Sequence, residues 1–187
     1  GAARAVAVLE ELIALGARTI LIAGATGSLQ SSIAVGDYVI PTKALREEGA
    51  SFHYAPPDEI ARANGIATQT LLSSARNSSR AVHKGSVWTT DAPYREFTGK
   101  IQTYANQGVL GVDMETSALM IVAAFRQVEL GIILTVSDLV YRKDWPNIFG
   151  TNAYQENCAH MAEIVMQAGR DIIEKTAYDQ FYDEHVF

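Results

Sequence analysis

Carboxylates stand where two apolar runs end: Asp113 and Glu115 in GVDMETSAL (residues 111–119), and Asp138 in LGIILTVSD (residues 130–138). A carboxylate partly withdrawn from water can hold hydroxyl groups through charge-assisted hydrogen bonds, or pass a proton to a leaving group. Each acid also has a plainer use. Glu115 opens a helical pattern, where an acid complements the helix dipole, and Asp138 can cap the segment that follows it. Two more polar groupings end apolar runs, GATG at 24–27 and TTD at 89–91. GATG reads as a glycine turn whose backbone N–H groups could face an anion or a base edge, but it is neither a G-x-G-x-x-G nor a Walker pattern.

The elements that must position these groups alternate along the chain. Apolar residues at helical spacing predict a helix over Ala5–Leu15, closed by Gly16, and then a short apolar strand over Thr19–Ala23 that ends in the glycine turn. GDYVIPTKALRE (36–47) reads as a second strand whose central hydrogen bonding Pro41 limits. A loop and helix over 55–79, a strand broken at Pro93, and a polar helix over Arg95–Asn106 follow. The strand GVLGVDM, a helix over Glu115–Gln127, the strand LGIILTVSD and a long helix from Asn152 to about Lys175 complete the pattern. Such alternation, with nearly continuous apolar strands, predicts an α/β sheet covered on both faces. In such sheets ligands collect beyond the carboxyl ends of the strands, so one site could use all four groupings.

Composition excludes several classes. The chain has 187 residues, 48% hydrophobic and 19% charged, with a formal net charge of −6, and no block of Lys and Arg offers a nucleic-acid surface. No apolar stretch approaches the ~20 residues of a membrane span, so no membrane partner is expected. The single cysteine, Cys158, cannot form an internal disulfide; it reads as a buried small hydrophobe on a helix in a cytoplasmic protein. His53, His83, His160 and His185 are too scattered for a zinc-like pair, so no metal is expected. The chain opens inside an amphipathic pattern with no initiator Met, and we expect a piece that starts late.

Taken together, VDMETSAL followed after an apolar helix by ILTVSD resembles the paired signature of the nucleoside phosphorylase family, the purine nucleoside and uridine phosphorylases and their nucleosidase relatives. LEELIALGARTILIAGATGSLQ, VGDYVIPTKALREEGASFHYAPP and SVWTTDAPY fit the same order, so the resemblance spans roughly residues 1 to 175. It implies a single domain over 1–187 that lacks the usual N-terminal strands. The fold it implies is a three-layer α/β/α arrangement around a central mixed, mostly parallel twisted sheet.

The resemblance also implies a chemistry: cleavage of a nucleoside N-glycosidic bond through a transition state like a ribosyl oxocarbenium ion. By carry-over, Glu115 would accept hydrogen bonds from ribose hydroxyls and favour positive charge at C1′. Met114 would pack on the sugar, and Asp138, beside Ser137, would be the general acid at N7 of a purine. Thr26 and Gly27 would line the base, and Thr90 and Asp91 its neighbouring wall. VSD resembles the purine branch, whereas REEGASFHYAPP is closer to the uridine phosphorylase segment. Pro93 replaces the aromatic that usually stacks on the base, a face that Tyr94, Phe52 or Tyr54 would supply instead.

The departures concern phosphate. Where phosphorolytic members carry an arginine in the strand and a Ser or Thr after the first glycine, this chain has Ile22 and Ala25. The phosphate ligands are therefore unknown; the backbone of Gly24 and Ala25, or the side chains of Arg46 or Lys43, are candidates. The expected reaction is phosphorolysis with phosphate as co-substrate and no cofactor. Hydrolysis, or nucleoside binding without turnover, stands as the alternative. Family members are dimers or hexamers, so a homo-oligomer is expected, with FHYAPP as an interface candidate. The aromatic tail DQFYDEHVF (179–187) would dock on a neighbour or fray.

Overall fold

The apolar runs form strands and the amphipathic stretches between them form helices. A computed structural model of the chain describes residues 1–63 and 65–185, with side chains through residue 175. The elements are helix α1 (Ala2–Ala14), strands β1 (Thr19–Ser28), β2 (Tyr38–Glu47) and β3 (Ala61–Arg62), helix α2 (Ile66–Ala75) and strand β4 (Val82–Thr90). Helix α3 (Thr98–Asn106), strand β5 (Val109–Asp113), helix α4 (Thr116–Arg126), strand β6 (Glu129–Leu139) and helix α5 (Asn152–His185) follow. The tail at 179–187 lies outside the residues whose side chains are described.

One mixed sheet has the order β3-β2-β4-β5-β1-β6. β1 runs parallel to β6, and β4 parallel to β2 and β5, while β1–β5 and β2–β3 are antiparallel. A short antiparallel contact of Tyr38 and Val39 with Thr135 and Leu134 also joins β2 to β6 and curls the sheet toward closure. Pro41, which has no N–H for the ladder, sits at the register shift between β2 and β4.

Successive residues on a strand face opposite sides, so β6 feeds two cores. Leu130, Ile132, Leu134 and Val136 pack with Val6 and Leu9 of α1 and with Leu119 and Val122 of α4. Ile133 faces the other way, toward Leu71 and Leu72 of α2 and Met161 and Ile164 of α5. Helices therefore cover both faces. A third cluster, Trp88, Ile101, Val109 and Val112, seats α3 near the end of the sheet where the acids lie. Trp88 is 0% exposed; its indole N–H donates to Glu47 Oε2 at 2.9 Å, and Tyr104 packs edge-on against its ring. That pair holds the ends of β2 and β4 side by side.

Several expectations are corrected. GATG is not a turn: β1 continues through it to Ser28, because β6 runs on as its parallel partner, with a bulge between Thr26 and Gly27. The expected helix over Arg95–Asn106 begins only at Thr98, after a 3-10 turn over Pro93–Arg95 and an extended Phe97. Cys158 is half-buried on α5 rather than buried. The final helix extends past Lys175 to His185.

Candidate active site

Beyond the ends of β1, β5 and β6 opens a cavity of about 630 Å³, enough for a nucleoside-sized ligand. Thr26, Gly27, Met114, Glu115, Ser137 and Asp138 all line it. The register explains the meeting, since Gly27 lies opposite Asp138 in the parallel β1–β6 pair. A Cβ at Gly27 would stand 2.6 Å from Val140 Cγ1 and 3.0 Å from Asp138 Oδ2. Glycine is required there so that the carboxylate can lie against the strand.

The two acids of GVDMETSAL divide their work. Asp113 is buried and accepts hydrogen bonds through Oδ2 from the Thr116 N–H at 3.0 Å and from the Thr116 hydroxyl, and through Oδ1 from the Thr89 hydroxyl at 2.7 Å. It therefore secures the first turn of α4. Glu115, at the N-cap position, makes no side-chain capping bond, so its carboxylate is left for other partners. That side chain is 37% exposed, and its Oε1 lies 2.6 Å from the α-amino group of Gly1. Glu115 also borders a neighbouring cavity of about 580 Å³ lined by Arg4, Ile22, Gly24 and Leu134.

Asp138 is only 5% exposed and has a donor on each oxygen. The Ser137 hydroxyl, which also lies 3.2 Å from Thr26 O, is 2.6 Å from Oδ1, and the Trp145 indole N–H donates to Oδ2 at 2.7 Å. Thr26 points its own hydroxyl at Val112 O, 2.9 Å away, so its part in the wall is steric and through backbone.

Other expected residues fall elsewhere. Thr90 and Asp91 do not line the cavity: the Thr90 hydroxyl accepts from the Ala92 N–H, and Asp91 Oδ2 accepts from the Gly49 N–H at 2.7 Å, which ties the end of β4 to the loop after β2. Of the proposed aromatic faces, Tyr94 borders the cavity and is 98% exposed. Phe52 instead lies under the Arg46 guanidinium, and Tyr54 packs edge-on against Phe125. Arg46 is engaged with Ser51, Ala55, Pro56 and Glu59 and lies outside both cavities, as does Lys43. Gly24 and Ala25 sit in the β1–β6 ladder, Gly24 on the second cavity and Ala25 on the first.

Sequence reasoning missed Glu96, Arg142, Trp145 and Phe149, which complete the walls. The three from the segment after β6 lie in YRKDWPNIF, whose clustered aromatics beside Pro146 were the available signal. Arg142 is paired with Asp144 through its Nε and a terminal nitrogen. Burial, and then the charge of Asp138, push Glu96 up to about 7. Among the described residues, no group of three His, Cys, Asp or Glu side chains could hold a metal ion.

Burial also pushes Asp113 up to about 6, against the hydrogen bonds from Thr116 and Thr89 that lower it. A carboxyl raised in the fold binds its proton more tightly folded than unfolded. Its contribution is fully present below about pH 4 and is lost as pH rises through about 6. We expect denaturant unfolding to show a loss of about 3 kcal/mol from this group over that window, and Asp113→Asn to flatten that slope. An unchanged slope in the variant would reject the assignment.

The Phosphorylase superfamily model matches residues 1–173, and the chain belongs to that family. It is 29% identical over 179 residues to the uridine phosphorylase of Salmonella typhimurium, a match covering 88% of this chain and 70% of that protein. It is 30% identical over 136 residues to the guanosine phosphorylase of Halorubrum lacusprofundi, covering 73% of this chain and 56% of that one. The fold is similar to the crystal structure of AMP nucleosidase from Bacteroides thetaiotaomicron, with a TM-score of 0.78 and 25% identity over 95% of this chain and 70% of that one. Among the described residues, no helix is long and apolar enough to cross a membrane.

Proposed function

We propose that this cavity binds a nucleoside, purine favoured, and cleaves its N-glycosidic bond by phosphorolysis to free base and ribose 1-phosphate. The observation that carries the reading is that Glu115, free of any capping bond, and Asp138 open on the same cavity. As the bond to the base lengthens, positive charge grows at C1′ and negative charge on the base. Glu115 takes the ribose hydroxyls and favours the cationic sugar, Met114 gives it an apolar contact, and Asp138 delivers or shares a proton at N7. Glu96, pushed up to about 7 by burial and then by the charge of Asp138, is a second carboxyl in the same cavity able to carry a proton near neutral pH. An acid at the base favours purines, whose N7 can take the proton.

Hydrolysis is the second reading, and a specific observation favours it. Ile22 and Ala25 offer phosphate no side-chain donor, and the one guanidinium lining the main cavity among the described residues, Arg142, is paired with Asp144. The test is release of free base from adenosine, guanosine, inosine and uridine, each with and without phosphate. Base release that depends on phosphate and yields ribose 1-phosphate is expected. Equal release without phosphate selects hydrolysis, and release from none of them overturns both readings.

A further inference from the structure

The segment that follows β6 folds back onto the strand it leaves. Leu139 N–H donates to Pro146 O at 2.9 Å, Ile148 N–H donates to Ser137 O at 2.9 Å, and Asn147 bridges Asp138 in antiparallel register. At its tip Trp145 has φ of 42°, in the left-handed region, although it is bulky and precedes a proline, which favours extended backbone. A conformation of that kind persists only where the surroundings impose it. Here the Trp145 N–H donates to Arg142 O, the Asn147 amide donates to Trp145 O, and the Arg142–Asp144 ion pair clamps the turn. The result is an indole that is 53% exposed yet aims its N–H at Asp138 Oδ2, 2.7 Å away.

We infer that Trp145 is the positioning residue for Asp138: its indole N–H occupies Oδ2 in the empty cavity, and an incoming base takes that oxygen over. This deepens the reading of Asp138 as the group at the base and rests on it. With Ser137 on Oδ1 and Trp145 on Oδ2, both oxygens are acceptors and the orientation of the carboxylate is fixed. Displacing the indole frees Oδ2 to face the incoming base while the Ser137 hydroxyl keeps Oδ1 in place. The other titratable or charged groups around the cavity are Glu96 and Tyr94 ahead of α3, Asp113 and Glu115 at the end of β5, and Arg142 with Asp144 on the same segment.

The test substitutes Trp145→Phe, which keeps an aromatic wall and removes the donor. The empty enzyme then has no hydrogen bond to break, so KM for adenosine falls roughly three- to tenfold. Damage to the fold would instead raise KM or lower kcat. A second readout needs neither turnover nor the variant enzyme's activity. The chain has two tryptophans, so the indole N–H signal of Trp145 in a ¹⁵N-labelled protein is assigned against Trp88. It should shift when Asp138 is replaced by Asn and shift again in the wild-type protein on adding adenosine or free adenine. A Trp145 signal unmoved by Asp138→Asn, or unmoved by saturating adenosine and adenine, overturns the inference. If nucleosides bind and displace the indole without being cleaved, the inference stands and the catalytic reading fails.

Discussion

Replacing Asp138 with Asn should lower kcat for purine nucleosides by about 10²- to 10⁴-fold, the usual contribution of a positioned general acid, while KM changes little. The amide keeps the shape of the carboxyl and an acceptor for Ser137 or Trp145, but it cannot give up a proton. The loss should therefore appear in the bond-breaking step and not in binding. Steady-state release of adenine or hypoxanthine under saturating and limiting nucleoside measures it. A kcat within about threefold of wild type, below any general-acid effect, would mean the base leaves without help from this residue.

Glu115→Gln should be nearly as damaging, lowering kcat/KM by about 10²- to 10³-fold. Hydrogen bonds to a charged acceptor are worth about 1.5–3 kcal/mol each, and the amide loses both that strength and the negative charge facing the developing cation. Substrate choice supplies the discriminating measurement. Wild type should prefer ribonucleosides over their 2′-deoxy counterparts, and the variant should narrow that preference, because the group that reads the hydroxyl is the one altered. Equal losses on both sugars would place Glu115 elsewhere on the substrate. Stability should change little, since Asp113, not Glu115, secures the start of α4.

Much of this was legible in the residues. The run LGIILTVSD had to be a buried strand, because no surface element tolerates so continuous an apolar stretch, and β6 spans Glu129–Leu139. The capping contacts of Asp113 with Thr116 and Thr89 come from the strand-to-helix junction in VDMETS, which the motif marks. GATG misled because glycines mark turns and close approaches alike. Gly24 and Gly27 are small because Leu134 and Asp138 of β6 lie against them, and that partner is more than a hundred residues away in sequence. Thr90 and Asp91 were misplaced for a related reason. Their bonds go to neighbouring backbone at Ala92 and Gly49, which no strand pattern reveals. Trp145 and Phe149 lie in a segment with no apolar periodicity, so only the way it folds back onto β6 brings them to the cavity.

The central claim, that one nucleoside spans Glu115 and Asp138, is tested most directly by a crystal structure of the Asp138→Asn protein soaked with adenosine and phosphate. We predict ribose hydroxyls within about 2.6–3.2 Å of Glu115, with N7 of the purine facing residue 138. A nucleoside seated outside this cavity, or reversed so that its ribose contacts residue 138, would contradict it.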